Sequence, residues 1–295
     1  MCDDNTLRAD EAALAQKGLT RRSFAALGAG AGAAAVVAGC APANSGTDGG
    51  VELLEEIVRI TTDDGIADGF FVHPAKGRHP AIVMWPDIAG LREVKKIMAR
   101  RLAEAGYAVL VVNQYYRSQP APVMESFSEY MEEEGRNRVA AYRELLTPDA
   151  VMRDAKAYVA FLDSKPEVDK ARGIGSHGYC MGGPFAVRTA AAVPGRVRAA
   201  ASLHGGGLVN EEPDSPHRLL EKTDASFLFA VARNDDAKAP EDKSVLRKAA
   251  DQAQRAAQID VYDADHGWCV ADLPAYDPAE AERAWQRMLA LYESL

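Results

Sequence analysis

Residues 178–182 read Gly-Tyr-Cys-Met-Gly and lie between a segment read as a strand, 173–178, and a small-residue run with helical character, 182–193. A strand that runs through Gly-x-Cys-x-Gly straight into a helix must turn sharply, and side chains at either glycine would collide with the helix or the neighbouring strand. The turn leaves Cys180 at a helix N-terminus, where the dipole favours an anion and raises the thiolate fraction of a cysteine. The N–H of Met181 is then aimed at a developing oxyanion. The competing reading is a buried structural cysteine beside a glycine-rich turn.

The surrounding pattern decides between the two. Residues 52–61 and 66–73 read as strands joined by the turn Thr62-Asp63-Asp64-Gly65. Apolar runs at 80–85 and 107–112 suit buried parallel strands. Helical periodicity covers 91–105, stopping at Gly106, then 123–146 and 148–164. Strands at 197–203, 227–232 and 259–262 alternate with helices at 241–257 and 279–294. Alternation of this kind predicts a mostly parallel sheet of about eight strands with helices on both faces, its pocket built from loops at the strands' carboxyl ends.

A nucleophile on such a turn is served by an acid and then a histidine further along the chain. The strand at 227–232 runs into Arg233-Asn234-Asp235-Asp236. Asp235 is the candidate for orienting the histidine, with Asp236 as the fallback. His266 follows the last strand within Asp263-Ala264-Asp265-His266-Gly267-Trp268 and is the candidate general base. The other histidines, at 73, 79, 177, 204 and 217, lack that placement. His204-Gly205-Gly206-Gly207 reads as a pocket loop at a strand end, with His204 a candidate substrate contact.

The first forty residues are excluded from the fold. Thr20-Arg21-Arg22-Ser23-Phe24 precedes an Ala/Gly/Val run, resembling a twin-arginine signal peptide. Val37-Ala38-Gly39-Cys40 resembles a bacterial lipobox, which would make Cys40 a lipidated N-terminus and a route of membrane attachment; cleavage around Ala41-Pro42-Ala43 is the alternative. The expected organisation is therefore a signal peptide over 1–40, a flexible spacer over 41–50 and one domain over 51–295, in an exported periplasmic or cell-envelope protein. With a net charge of -9 and no basic cluster, nucleic acid is not expected as a partner, and a monomer is. The four cysteines, at 2, 40, 180 and 269, show neither zinc-site spacing nor a disulfide framework.

The elbow and its partners resemble the dienelactone hydrolase family over about residues 52–294, most specifically through Gly-Tyr-Cys-Met-Gly-Gly at 178–183. The resemblance implies the α/β-hydrolase fold, a Cys180–His266–Asp235 triad, and hydrolysis of lactones and esters of carboxylate-bearing compounds without metal or organic cofactor. It also implies that Asp87, in Trp85-Pro86-Asp87-Ile88-Ala89-Gly90, occupies the place of an acidic residue paired with the resting cysteine. Ile88 would give the second oxyanion-hole N–H beside Met181. Arg117, in Tyr115-Tyr116-Arg117, would hold the substrate carboxylate, a task suited to a permanently charged bidentate donor. A second arginine of the family's anion clamp is replaced by Val270. An acyltransferase or peptidase using the same triad, and a non-catalytic envelope lipoprotein that binds a small acid, are the rival readings. Cys269 is read as a packed structural thiol, with a reversible disulfide to Cys180 as the alternative.

Overall fold

The computed structural model describes residues 10, 12–15 and 51–295. The signal peptide read over 1–40, its Cys40 and the 41–50 spacer thus lie outside the described residues, save residues 10 and 12–15, which are helical.

Strands β1 (Leu53–Thr62), β2 (Gly65–Pro74), β3 (Ala81–Trp85), β4 (Ala108–Val112), β5 (Ile174–Tyr179), β6 (Val197–Leu203), β7 (Ser226–Ala232) and β8 (Ala257–Tyr262) form one sheet in the order β1-β2-β4-β3-β5-β6-β7-β8. The β1–β2 hairpin and the β2–β4 pairing are antiparallel, and β4 through β8 run parallel. Helices α1 (Glu93–Glu104), α2 (Phe127–Met131), α3 (Glu133–Arg143), α4 (Pro148–Ser164), α5 (Gly182–Ala192), α6 (Pro216–Leu219), α7 (Arg233–Lys238), α8 (Asp242–Ala253) and α9 (Pro278–Tyr292) connect the strands. The helix read as continuous over 123–146 is broken at Glu132, whose extended backbone (ψ 152°) separates α2 from α3. The short α7 lies in a stretch that the sequence left as a strand end.

The inner strands β3 and β4 are buried at every residue, which is why they read as unbroken apolar runs rather than as alternations. Their side chains still alternate between two cores. Ile82 and Met84 join Leu102 of α1 and Met288 of α9, whereas Val83 and Trp85 join Val151 of α4, Val187 of α5 and Leu246 of α8. Trp85 fastens the second layer to the sheet. Its indole N–H donates to Thr189 Oγ1 at 2.9 Å, and its ring meets Tyr158 and Phe185 edge-on.

This topology fixes where chemistry can happen. β3 has β4 on one side and β5 on the other, so the chain leaving β3 packs α1 on one face and the chain leaving β5 packs α5 on the opposite face. The loops after β3 and β5 diverge there, opening a crevice at the carboxyl ends of the strands. Both segments singled out in the sequence, 85–90 and 178–183, are those loops.

Candidate active site

The turn after β5 is forced by close approach. A Cβ on Gly178 would lie 1.9 Å from the carbonyl oxygen of Gly182, and one on Gly182 would lie 2.6 Å from the carbonyl oxygens of Trp85 and Pro86. No side-chain rotation relieves a backbone clash, so Gly178→Ala should lower stability by more than about 3 kcal/mol, read as a drop in the urea midpoint. Between the two glycines Cys180 takes a positive φ of 55°, a strained conformation that lifts its side chain out of the strand. Its N–H is shared between Leu203 O at 3.1 Å and His204 Nδ1 at 3.2 Å.

That bond places His204 beside the elbow. Its ring is wholly buried there, with its centroid 4.8 Å from that of His266. The cause is local: His204 has a φ of 43°, which turns the side chain inward at the end of β6. Burial, with the charges of His266 and Lys95 adding to it, holds the ring neutral far below the ordinary imidazole range. Because Nδ1 accepts, its proton sits on Nε2.

His266 lies after β8 and is anchored twice from α7. Its backbone N–H donates to Asn234 Oδ1 at 2.9 Å, and its Nδ1 donates to Asp235 Oδ2 at 2.6 Å. Asp236 points away and pairs with Lys243 Nζ at 2.6 Å, so of the two adjacent acids Asp235 faces the histidine. Burial alone would push the imidazole down. The charge of the Cys180 thiolate, bonds to Asp235 and Cys180, and the charge of Asp235 carry it well above the ordinary range instead. Cys180, His266 and Asp235 thus lie in one hydrogen-bonded line. Asn234 was not singled out in the sequence; a polar side chain beside the candidate acid was the available signal.

The loop after β3 brings Ile88 opposite Met181. Trp85 and Gly178 are paired across β3 and β5, and Ile88 and Met181 each follow their strand's paired residue by three positions. Neither N–H is spent on a hydrogen bond among the described residues. Asp87 is buried, and its carboxylate accepts from Ala89 N–H at 3.0 Å, from Arg92 at 2.8 and 3.1 Å, and lies 2.7 Å from Lys95 Nζ. Burial opposes its charge, but Arg92 and Lys95 hold it ionised well below the usual carboxylate range. Arg92 reaches further, clamping Asp272 through two bonds of 2.7 Å. In place of the implied pairing of Asp87 with the cysteine, a cluster of ions fixes the loop after β3. Arg92 and Lys95 were missed because charges on an amphipathic helix ordinarily read as solvated.

Arg117 is also corrected. Its guanidinium is taken by Asp154 through two bonds of 2.8 Å and by Asp64 at 2.6 and 3.1 Å, and it stacks over Tyr116. The alternation beyond β4 places Tyr115 in the core shared with Ile88 and Tyr116 in the opposite core beside α4, and Arg117 follows Tyr116. Val270, at the other clamp position, is buried. Neither arm of a two-arginine anion clamp is available. Cys269 is buried and, like Cys180, forms no disulfide among the described residues, and burial pushes the Cys269 thiol well above its ordinary range.

The crevice is covered. Cys180 is 1% exposed and His266 4% exposed, while Asp10 and Leu14 of the N-terminal helical residues are each 2% exposed. Burial pushes the Asp10 carboxyl up to about 7; His266 draws it down, and Cys180 and Asp265 push it further up, which places Asp10 within electrostatic reach of all three.

A mostly parallel sheet with helices on both faces and a tight strand–turn–helix elbow at its switch point define an α/β-hydrolase fold. Within that class the chain belongs to the dienelactone hydrolase family, whose model matches residues 67–295. It is 27% identical over 222 residues to the carboxymethylenebutenolidase of a Pseudomonas species, covering 75% of this chain and 87% of that one. It is 28% identical over 174 residues to the carboxymethylenebutenolidase of Pseudomonas putida, covering 57% of this chain and 70% of that one. Among solved structures, a dienelactone hydrolase-like promiscuous phosphotriesterase from metagenomic libraries superposes with a TM-score of 0.67 at 22% identity, covering 82% of this chain and 98% of that chain.

Proposed function

We propose that this ester and lactone hydrolase works through an acyl-enzyme on Cys180. The observation that carries the reading is the bonded line Cys180–His266–Asp235 beside the N–H groups of Ile88 and Met181, neither of which is spent on a hydrogen bond among the described residues. The Cys180 thiolate attacks the carbonyl carbon, forming a C–S bond while the π pair moves to oxygen. The N–H groups of Ile88 and Met181 receive that oxyanion. Collapse breaks the C–O bond, and His266 Nε2 gives its proton to the departing alkoxide. His266 then takes a proton from water, the hydroxide attacks the thioester, and the C–S bond breaks. Carboxylic acid leaves, and thiolate and imidazolium are restored. Asp235 keeps the imidazole in the tautomer that presents Nε2 to the reaction.

The substrate class proposed is lactones and activated esters recognised without a bidentate arginine. The relatives' name denotes a butenolide with a carboxymethylene group. Here the residues that would grip that carboxylate are Arg117, engaged with Asp64 and Asp154, and Val270. Neutral lactones should therefore be turned over at least as well as their carboxylated analogues.

The same pairing sets a pH profile. Ion-pair electrostatics act on both partners, so a thiolate that raises His266 is itself favoured by the imidazolium. Iodoacetamide should block ester turnover by modifying Cys180 alone. Its rate should be nearly flat between about pH 7 and 9, where a free thiol of pKa about 8.5 would still be titrating. A rise of about twentyfold across that range, the titration of an ordinary thiol, would contradict the pairing. Ester cleavage with an added alcohol or amine acceptor separates hydrolysis from acyl transfer or peptide chemistry by its products.

Export through the twin-arginine leader, with lipidation of Cys40 as its anchored form, belongs to the same proposal and rests on the motifs at 20–24 and 37–40. Asp10 and Leu14 are buried and Asp10 feels the charges of His266 and Cys180, so in this reading these N-terminal residues close the crevice of the precursor. A chain processed at Cys40 should cleave an aryl ester several-fold faster than the full chain. Equal rates would remove that closure.

A further inference from the structure

The turn that follows β4 carries a device for aiming the oxyanion hole. In a trans peptide the carbonyl of one residue and the N–H of the next point in opposite directions within one plane. The N–H of Ile88 therefore belongs to the same plane as the carbonyl of Asp87, and whatever grips that carbonyl sets the direction of the N–H. Two donors grip it: Gly90 N–H within the turn itself, at 3.0 Å, and from the neighbouring loop Gln114, whose Nε2 donates to Asp87 O at 2.8 Å and whose side chain is 1% exposed. The following plane is held by the next residue, since the Tyr115 hydroxyl donates to Ile88 O at 2.8 Å. That hydroxyl also touches Met181 Sδ at 3.4 Å. Its single proton goes to the carbonyl, the far better acceptor, and the sulfur contact keeps the two halves of the hole in register.

The turn is itself fixed. Asn113 Oδ1 accepts the Tyr115 N–H at 3.0 Å, and Asn113 Nδ2 donates to Asp68 Oδ1 at 2.8 Å and Gln119 O at 2.9 Å. Two consecutive peptide planes of one loop are thus held by two consecutive side chains of another, both within the apolar core. No part of the triad needs these bonds, and neither side chain is required to touch substrate.

We infer that Gln114 and Tyr115 are positioning residues that aim the Ile88 N–H into the oxyanion hole. This rests on the acyl-enzyme reading. The donors of a hole must be in place before charge develops, because their value comes from preorganisation. Losing a whole donor costs on the order of a hundredfold in kcat, so a donor that is present but free to rotate should cost about tenfold.

The experiment uses the full-length protein and the variants Gln114→Met and Tyr115→Phe, with Cys180→Ala alongside. Methionine keeps the length of glutamine without a donor, and phenylalanine removes one hydroxyl. The expected result is a roughly tenfold fall in kcat for an aryl ester with KM unchanged. The rate of alkylation by iodoacetamide, a displacement that develops no oxyanion, should stay at the wild-type value. If both rates fall together, the turn supports the nucleophile generally and the inference is wrong. It is also wrong if kcat is unchanged in both variants. If Gln114→Met does not fold, Tyr115→Phe carries the test by the same two rates. Retained turnover in Cys180→Ala would overturn the acyl-enzyme reading itself, whereas its loss beside fully active Gln114→Met and Tyr115→Phe would overturn only the aiming role.

Discussion

Cys180→Ala should lower ester turnover by a factor on the order of 10⁴ or more while leaving the thermal midpoint nearly unchanged. The two halves of that outcome have separate causes. The thiolate is the only protein group in the proposed sequence that bonds to the acyl carbon, and alanine has nothing to replace it. Any residual rate comes from the oxyanion hole and from binding. The fold should tolerate the change because alanine keeps the backbone N–H that Leu203 O and His204 Nδ1 share, and a Cβ is already accommodated at the positive φ of 55°. Turnover and unfolding measured on one preparation check both halves. Loss of activity accompanied by a large fall in midpoint would mean that Cys180 had been acting as a core residue.

Asp87→Ala should do the opposite, removing stability first and activity as a consequence. Asp87 neutralises Arg92 and Lys95, both buried, and its removal leaves them in the core with Asp272 as the remaining paired carboxylate among the described residues. Breaking a buried ion cluster by deleting one partner costs about 3–5 kcal/mol. The pH dependence follows from the same charges. Arg92 and Lys95 depress the carboxyl in the folded protein, so the contribution of Asp87 is present in full above the ordinary carboxylate value near 3.9. It is lost only as pH falls through the lower folded value. The wild type should therefore lose stability between about pH 4 and lower pH more steeply than Asp87→Ala, which has no such group to protonate. Urea midpoints of both proteins across that range check the direction.

Much of this site was legible in the sequence because its most specific part is local. Gly178, Cys180 and Gly182 are adjacent, and the clash that demands glycine lies within the same turn and its neighbouring strand. The order of acid and histidine followed from strand ends. Asp235 and Asp236 could not be separated, because a single step along α7 turns one carboxylate to His266 and the other to Lys243. Arg117 went wrong for a related reason. Asp64 and Asp154 are far from it in the chain and reveal themselves only when β1, β2 and α4 meet at that corner. The buried pair Arg92 and Lys95 was unreadable because the charge that makes their burial tolerable, Asp87, had been assigned to the cysteine. Gln114 carried no signal, since its importance lies in a peptide plane and not in the side chain of the residue it holds. Local sterics are written in neighbouring letters; long-range charge pairing and backbone aiming are not.

The central claim is that the acyl group passes through the sulfur of Cys180. Intact-protein mass spectrometry of the full chain, quenched in acid during turnover of an activated aryl ester, tests it most directly. The expected spectrum contains a species heavier by the mass of one acyl group, mapped by digestion to the peptide bearing Cys180 and missing from Cys180→Ala. An adduct on any other residue, or continued turnover by a Cys180→Ala protein that forms none, would contradict it.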